Sequence, residues 1–295
     1  MKIGVYLRLF GVPGGRPEPP SWSLLRTAAI AAEETGFDTV VLEDGLLLLD
    51  DEGNAGLWDP ISIAAAIAAA TTRIAIGHAV LNNPYRHPAL VARAAATLDE
   101  ISGGRYVLGI GLGNTPDDYP RFGIPADHRF SRFRESIAVI CDLLRTGRAQ
   151  LDGQFYTVPD GELVLRGPRP SGPPIVIAAG KPKMLRLAAK FADEWNWWTA
   201  TPAEPETMRE IVAEMDRACE ETGRDPASLR RSIDLFSITP PGTDGSSAQA
   251  VADLLAPYAG LGFGEVRVNL TVPEPTAITA GITAMAPVVE LVHAA

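Results

Sequence analysis

The stretch RHPALVARAAATLDEISGGRYVLGIGLG, residues 86–113, sets the reading of the whole chain. Pro88 opens a helix at its first position, where the N–H it lacks has no helical partner in any case. That helix ends near Ile101, ahead of Gly103-Gly104. Residues 106–110 then form a short apolar run without alternation, as expected of a parallel strand buried on both faces. A glycine-rich loop follows. Helix, turn, buried strand and loop thus occur within one stretch.

The same alternation extends in both directions. Towards the N-terminus, residues 3–7 and 38–42 read as strands around a helix at 23–34. Ser21 or Ser23 can cap that helix, and Gly36 stands where a left-handed residue ends one. Residues 43–57 read as a long loop. Asp59-Pro60 then starts a helix reaching about Ala70, and 74–77 is the third strand. Towards the C-terminus the pattern predicts helices over 130–144, 183–191, 206–222, 248–258 and 275–293. Strands are predicted over 175–178, 193–198, 232–238 and 265–270. Asp152-Gly153, between two extended pieces, marks a small β-hairpin insertion at 149–158. Regular strand–helix alternation implies a parallel sheet, and the number of units implies closure. The expectation is a single domain over 1–295, an α/β (β/α)8 TIM barrel with small insertions.

Bulk properties narrow the function classes. The 295 residues are 46% hydrophobic and 21% charged, ordinary for a globular protein. A net charge of −10, without basic clusters, argues against a nucleic-acid surface. The two cysteines, Cys141 and Cys219, fall in helical segments and make no disulfide framework. No charged segment leading into an apolar one opens the sequence, and no apolar run reaches membrane length. A cytoplasmic protein with no membrane partner is the expectation.

Barrel enzymes build their sites at the C-terminal strand ends. That rule nominates Tyr6 after the first strand and the adjacent carboxylates Glu43 and Asp44 after the second. It nominates His78, Ala79, Val80 and Asn82 after the third, and Gly111, Gly113, Asn114 and Asp117 after the fourth. Gly180 and Lys181 follow the fifth. The glycines could let backbone amides approach an anion, or could serve tight turns alone. Glu43 and Asp44 could relay a proton, or simply be solvated. Trp195, Trp197 and Trp198 could pack the barrel or wall a planar ring. His78 and His87 lack companions at ligand spacing, so no metal is expected.

Several segments together resemble the bacterial-luciferase-like family of flavin and deazaflavin oxidoreductases. The carriers are Val80-Leu81-Asn82-Asn83-Pro84-Tyr85-Arg86-His87-Pro88, Ser102-Gly103-Gly104-Arg105 and Leu108-Gly109-Ile110-Gly111-Leu112-Gly113. Phe122-Gly123-Ile124-Pro125, Gly153-Gln154-Phe155-Tyr156 and Ala192-Asp193-Glu194-Trp195-Asn196 continue the match along nearly the whole chain. The resemblance implies a luciferase-like barrel whose mouth holds coenzyme F420 or, alternatively, FMN. It implies a non-proline cis peptide after the third strand, at Ala79–Val80 or else His78–Ala79. It places Tyr6, His78, Ala79, Val80 and Asn82 against the cofactor, with residues 113–118 and the Gly180-Lys181 turn near its phosphate-bearing tail.

The family's deazaflavin dehydrogenases often show Asp-His after the second strand, and some carry a glutamate after the fourth-strand glycines. Here Glu43-Asp44 and Asn114 stand instead, which points away from a sugar-phosphate dehydrogenase. It leaves Asp44 and Glu43 as the nearest catalytic carboxylates. The expected activity is F420-dependent hydride transfer to or from a small organic molecule. Asn82-Asn83, and the absence of a basic residue directly after the glycines, favour the deazaflavin. An FMN-dependent monooxygenase is the alternative, and a non-catalytic cofactor-binding member the second alternative. A homodimer through the alanine-rich helices at 61–70 and 89–98 is expected.

Overall fold

The computed structural model describes residues 1–9, 19–50, 53–113, 118–200, 202 and 205–294. Its parallel strands are β1 Lys2–Tyr6, β2 Thr39–Leu42, β3 Ala75–His78, β4 Tyr106–Gly111, β5 Ile175–Ala178, β6 Glu194–Thr199, β7 Arg230–Ile238 and β8 Glu265–Leu270. Each pairs with the next, β8 pairs with β1, and β4 pairs with β5, so the sheet closes into a barrel with no free edge. Helices wrap it: α1 Trp22–Thr35, α2 Pro60–Ala70, α3 Pro88–Ile101, α4 Arg129–Thr146, α5 Pro182–Phe191, α6 Pro205–Glu221, α7 Ala248–Gly260, α8 Ile278–Ala284 and α9 Ala286–Ala294. The (β/α)8 expectation holds.

Local chemistry sets the helix starts. Ser21 caps α1 through Leu24 N, and Asp59 caps α2 through Ser62 N. His87 caps α3 by accepting from Ala89 N at 3.2 Å. The hairpin insertion forms from Arg148–Asp152 and Thr157–Glu162, longer than the sequence pattern suggests. Glu135 of α4 fixes its turn, accepting from the amides of Gln154, Phe155 and Tyr156 at 3.1, 2.9 and 3.2 Å.

Two predicted elements are corrected. The loop at 43–57 contains an antiparallel hairpin, Leu47–Asp50 with Gly53–Gly56. The terminal helix over 275–293 is broken at Met285, because Pro287 cannot donate to the carbonyl a turn earlier and its ring crowds that carbonyl. Among the described residues no helix is long and apolar enough to cross a membrane.

Candidate active site at the C-terminal mouth of the barrel

A cavity of about 340 Å³ opens at the C-terminal strand ends. Tyr6, Glu43, Asp44, Ala79, Val80, Asn82, Gly111 and Gly113 all line it, eight residues drawn from the sequence nominations. His78, Gly180 and Lys181 do not line it. Asn114 and Asp117 lie outside the described residues. The lining also includes Leu112, Ala178, Asn196 and Trp198, from strand ends the same rule points to, and Asp234 and Phe236, which the sequence reading did not nominate.

One side of the cavity is a ledge. The Ala79–Val80 peptide is cis, at the first of the two bonds expected. The ledge presses on β4, and the glycines there make room for it. A Cβ on Gly109 would collide with the His78 carbonyl oxygen, and one on Gly111 would lie 2.7 Å from Val80 Cγ2. At Gly113 it would strike the Tyr119 hydroxyl. These glycines admit neighbouring protein atoms, a packing role that neither sequence reading anticipated.

Polar bonds hold the ledge from behind. Asp44 accepts from Asn82 N at 2.8 Å, and its backbone carbonyl accepts from Asn82 Nδ2 at 2.8 Å. Arg86 pairs with Asp44 at 2.5 Å and with Asp59 at 3.1 Å. The NPYRHP segment thus ties the ledge to the start of α2. Asn83 bonds Ser136 at 2.5 Å and is turned away from the cavity. His78 Nδ1 lies 2.9 Å from the Tyr106 hydroxyl and Nε2 lies 3.2 Å from Pro60 O. A carbonyl can only accept, so Nε2 carries the hydrogen and Nδ1 accepts from tyrosine. Burial pushes the His78 imidazole down to about 4, which keeps this neutral strut neutral. Its place is structural, behind the ledge.

The opposite side is aromatic. Phe236 stands 5.4 Å from the Tyr6 ring and 6.0 Å from Trp198, ring centre to ring centre. The three rings run from cavity floor to rim, where Trp198 is 60% exposed. Register between β7 and β8 slips between Leu235 and Ile238, with Ser237 at φ 63°; such bulges re-aim side chains beside sites. The tryptophans divide between the two sequence readings. Trp195 is fully buried with Nε1 bonded to Ala179 O, Trp197 fills the space beside Gly180, and only Trp198 walls the cavity.

Ionisable groups meet at the floor and one edge. Tyr6 donates to Asp234 Oδ2 at 2.6 Å. Burial, reinforced by the Asp234 charge, holds this phenol well above its ordinary range. Burial also raises Asp234, opposed by Arg267, whose Nε lies 3.1 Å from Asp234 Oδ1. At the edge, Glu43 accepts from Leu9 N at 2.6 Å. Burial pushes Glu43 up to about 7, against the pull of that amide and of Arg8. Asp234, inside the apolar run of β7, was available to sequence reading as a polar residue where only apolar ones are expected.

The cavity suits a flat, amphipathic ring. Apolar ledge and aromatic wall would meet its faces, and Glu43, Asn82, Asn196 and Tyr6 would meet its polar edges. Among the described residues no group of three or more His, Cys, Asp or Glu side chains is placed to hold a metal ion.

The sequence model of a family described as luciferase-like monooxygenase matches residues 1–284. The F420-dependent glucose-6-phosphate dehydrogenase of Amycolatopsis mediterranei (strain U-32) is 34% identical over 173 residues, 56% of this chain and 50% of that protein. Pyrimidine monooxygenase RutA of Shigella flexneri is 32% identical over 243 residues, 77% of this chain and 62% of its own length. The chain therefore spans about half to three fifths of the length of these relatives. An F420-dependent secondary alcohol dehydrogenase, solved with an F420–acetone adduct, superposes at TM-score 0.82 and 17% identity, covering 99% of this chain and 98% of that one. EDTA monooxygenase from Chelativorans sp. BNC1 superposes at 0.81 and 16% identity, covering 98% and 93%. At such identities the structural likeness speaks to the fold alone.

Proposed function

The chain belongs to the luciferase-like monooxygenase family, and on that premise we propose that it is an oxidoreductase using coenzyme F420 for hydride transfer to or from a small organic molecule. The observation that carries this reading is the slot between the Ala79–Val80 ledge and the Phe236–Trp198 wall, with ionisable groups along its edge. The F420-dependent relative at 34% identity supports the choice of deazaflavin. Asn83 adds nothing to it, because its side chain is engaged with Ser136. RutA, matched over more of this chain, supports the alternative, an FMN-dependent monooxygenase.

Bound in the slot, a deazaflavin supplies a ring carbon that exchanges hydride with substrate. The chain's own part is to orient the ring, exclude water and move a proton. Ala79 and Val80 would support one ring face, and Phe236 and Trp198 would cover the other. Asp44, held by Arg86 and Asn82, keeps the ledge in place rather than exchanging protons. Glu43, pushed up to about 7 by burial, stands at the cavity edge, where it would meet the ring's polar edge.

Absorbance titration with each cofactor tests the reading. F420 should bind in the micromolar range or tighter. Tight binding of FMN with none of F420 would transfer the assignment to the monooxygenase.

The same reading includes a homodimer through α2 and α3. Helix α2, PISIAAAIAAA, is apolar on every side, so its outward face needs a cover. Leu90 of α3 is 55% exposed beside it. Light scattering at micromolar concentration should give twice the chain mass; a monomer mass refutes the dimer.

A further inference from the structure

We infer that Tyr6 is the atom-level proton acceptor of this site, that Asp234 is where the proton comes to rest, and that the substrate is therefore a neutral alcohol or, in reverse, its carbonyl. The inference rests on the hydride-transfer reading above.

The phenol has one hydrogen and two possible acceptors. Asp234 Oδ2 lies 2.6 Å away, whereas Ala79 O lies 3.5 Å away, beyond the useful range for O–H···O. The hydrogen is committed to Asp234. Towards the cavity the Tyr6 oxygen can then only accept, so its partner must be a donor. A substrate hydroxyl meets that demand.

Charge selects a neutral molecule. Three carboxylates line the cavity: Glu43 and Asp44 just after β2, and Asp234 from β7. The nearest cations are already engaged. Arg8 bonds Asn269 at 2.7 Å, Arg86 pairs with Asp44 and Asp59, and Arg267 pairs with Asp234 and Glu194. Among the described residues an anionic substrate would meet three carboxylates, with Arg86 and Arg267 already paired to carboxylates and Arg8 bonded to Asn269.

The step balances as follows. The carbinol C–H bond breaks and its electron pair leaves with the hydrogen as hydride to the cofactor. The substrate O–H bond breaks, and its proton goes to Tyr6 Oη. The Tyr6 O–H bond breaks in concert, and its proton passes to Asp234 Oδ2. The C=O bond forms. The carbinol carbon is oxidised by two electrons and the cofactor is reduced by two. The raised affinity of buried Asp234 for a proton suits it to this role, and Arg267 below limits that rise. Glu43 and Glu194 are the other charges acting on this pair, and burial, reinforced by the Asp234 charge, keeps the phenol protonated.

The experiment has three readings on the full chain. F420 is titrated into wild type, Tyr6→Phe and Asp234→Asn. Reduction of bound F420 is then followed with a panel of neutral primary and secondary alcohols, with α-hydroxy acids as anionic controls. Finally, infrared pH titration of the protein, with and without F420, seeks a protonated-carboxyl band that Asp234→Asn removes. The expected result is reduction of bound F420 by neutral alcohols only, with the affinity of each variant measured so that kcat is compared at saturating F420. Tyr6→Phe should lower kcat by about 100-fold or more, the usual scale for a lost general base. The Asp234 band should shift in Tyr6→Phe, a readout that needs no turnover. Failure of wild type to bind F420 overturns the parent reading. Binding without reduction by any alcohol, unchanged kcat in Tyr6→Phe, or a band indifferent to Tyr6 overturns the inference alone.

Discussion

The barrel has a cavity at each end, and the candidate site lies in the smaller one. The N-terminal cavity measures about 510 Å³ against about 340 Å³ at the C-terminal mouth. Its walls carry Lys2, Arg105, Arg169, Arg230, Arg231 and Arg267, a density of cations that invites an anion. Their bonds say otherwise. Arg105 donates to the carbonyls of Ala68, Thr71, Ile74 and Ser102. Arg169 holds Asp99 and Tyr106 O, Arg231 holds Asp216, and Arg267 holds Glu194. Arg230 adds a looser pair with Glu194, so the five arginines of that end are engaged in locking the barrel's base. At the other end the groups face outward between an apolar ledge and aromatic rings. Available chemistry, not volume, distinguishes the two.

The largest effect should come from opening the closed end. Arg267→Met leaves Asp234, Glu194 and Glu265 without their shared cation in the barrel interior. Removing one partner of a buried pair typically costs about 3–5 kcal/mol. Thermal unfolding should drop by roughly 10 °C for a chain of this size. A variant that folds as well as wild type would erase the distinction between the ends.

A second contrast uses glycines. Gly109→Ala puts a methyl against the His78 carbonyl, backbone that cannot swing aside. Overpacking of this kind costs about 3 kcal/mol at its upper range, and the ledge must move. Gly77→Ala, facing the other cavity, meets Val107 O at an ordinary 3.5 Å. The expected outcome is loss of F420 binding and stability in the first and near-neutrality in the second. Calorimetry with titration of each variant checks both.

These contrasts show what could be read from sequence and what could not. The barrel followed from apolar strand runs separated by helix starts such as Asp59-Pro60 and Pro88, because those signals are local. The ledge residues followed from the resemblance and the strand-end rule. What stayed hidden depended on partners distant in sequence. Asp44 read as a catalytic carboxylate because nothing local shows Arg86 folding back onto it. His78 read as a cofactor contact because Pro60 O and the Tyr106 hydroxyl, which occupy its two nitrogens, come from other segments. Asp234 and Phe236 were missed because strand seven carries no glycine loop to draw attention. An acidic residue inside an apolar run was the overlooked signal.

The pH dependence of stability offers a finer test. Glu43 is raised from 4.5 to about 7, so the unfolded chain releases this proton first and stability falls as pH rises through that window. His78 is lowered from 6.5 to about 4, so the unfolded chain binds a proton first on acidification and stability rises with pH from about 4 to 6.5. The Glu43 effect is about 2 kcal/mol after allowing for water at the cavity wall, the effect of fully buried His78 is about 3 kcal/mol, and in wild type they oppose one another. Glu43→Gln should therefore steepen the loss of stability below pH 6.5 and raise stability at pH 8 by about 2 kcal/mol. Urea midpoints across pH 4–8 measure both arms. A profile parallel to wild type would mean that Glu43 ionises as an ordinary surface carboxylate, and the open end would lose its near-neutral acid.

The smallest effect concerns the rim. Trp198 is 60% exposed and packs edge-on against Phe236, so the fold gains little from it. Its worth to a bound ring is that of one aromatic contact, about 1 kcal/mol. Trp198→Ala should weaken F420 binding roughly fivefold with unfolding unchanged, and Trp198→Phe should recover most of the loss. Trp195, three residues earlier on the same strand, is the control. It is fully buried, so Trp195→Ala should cost about 3–5 kcal/mol of stability. If instead Trp198→Ala unfolds the protein early and leaves binding intact, the ring packs the barrel and the cavity has an aromatic floor without an aromatic rim.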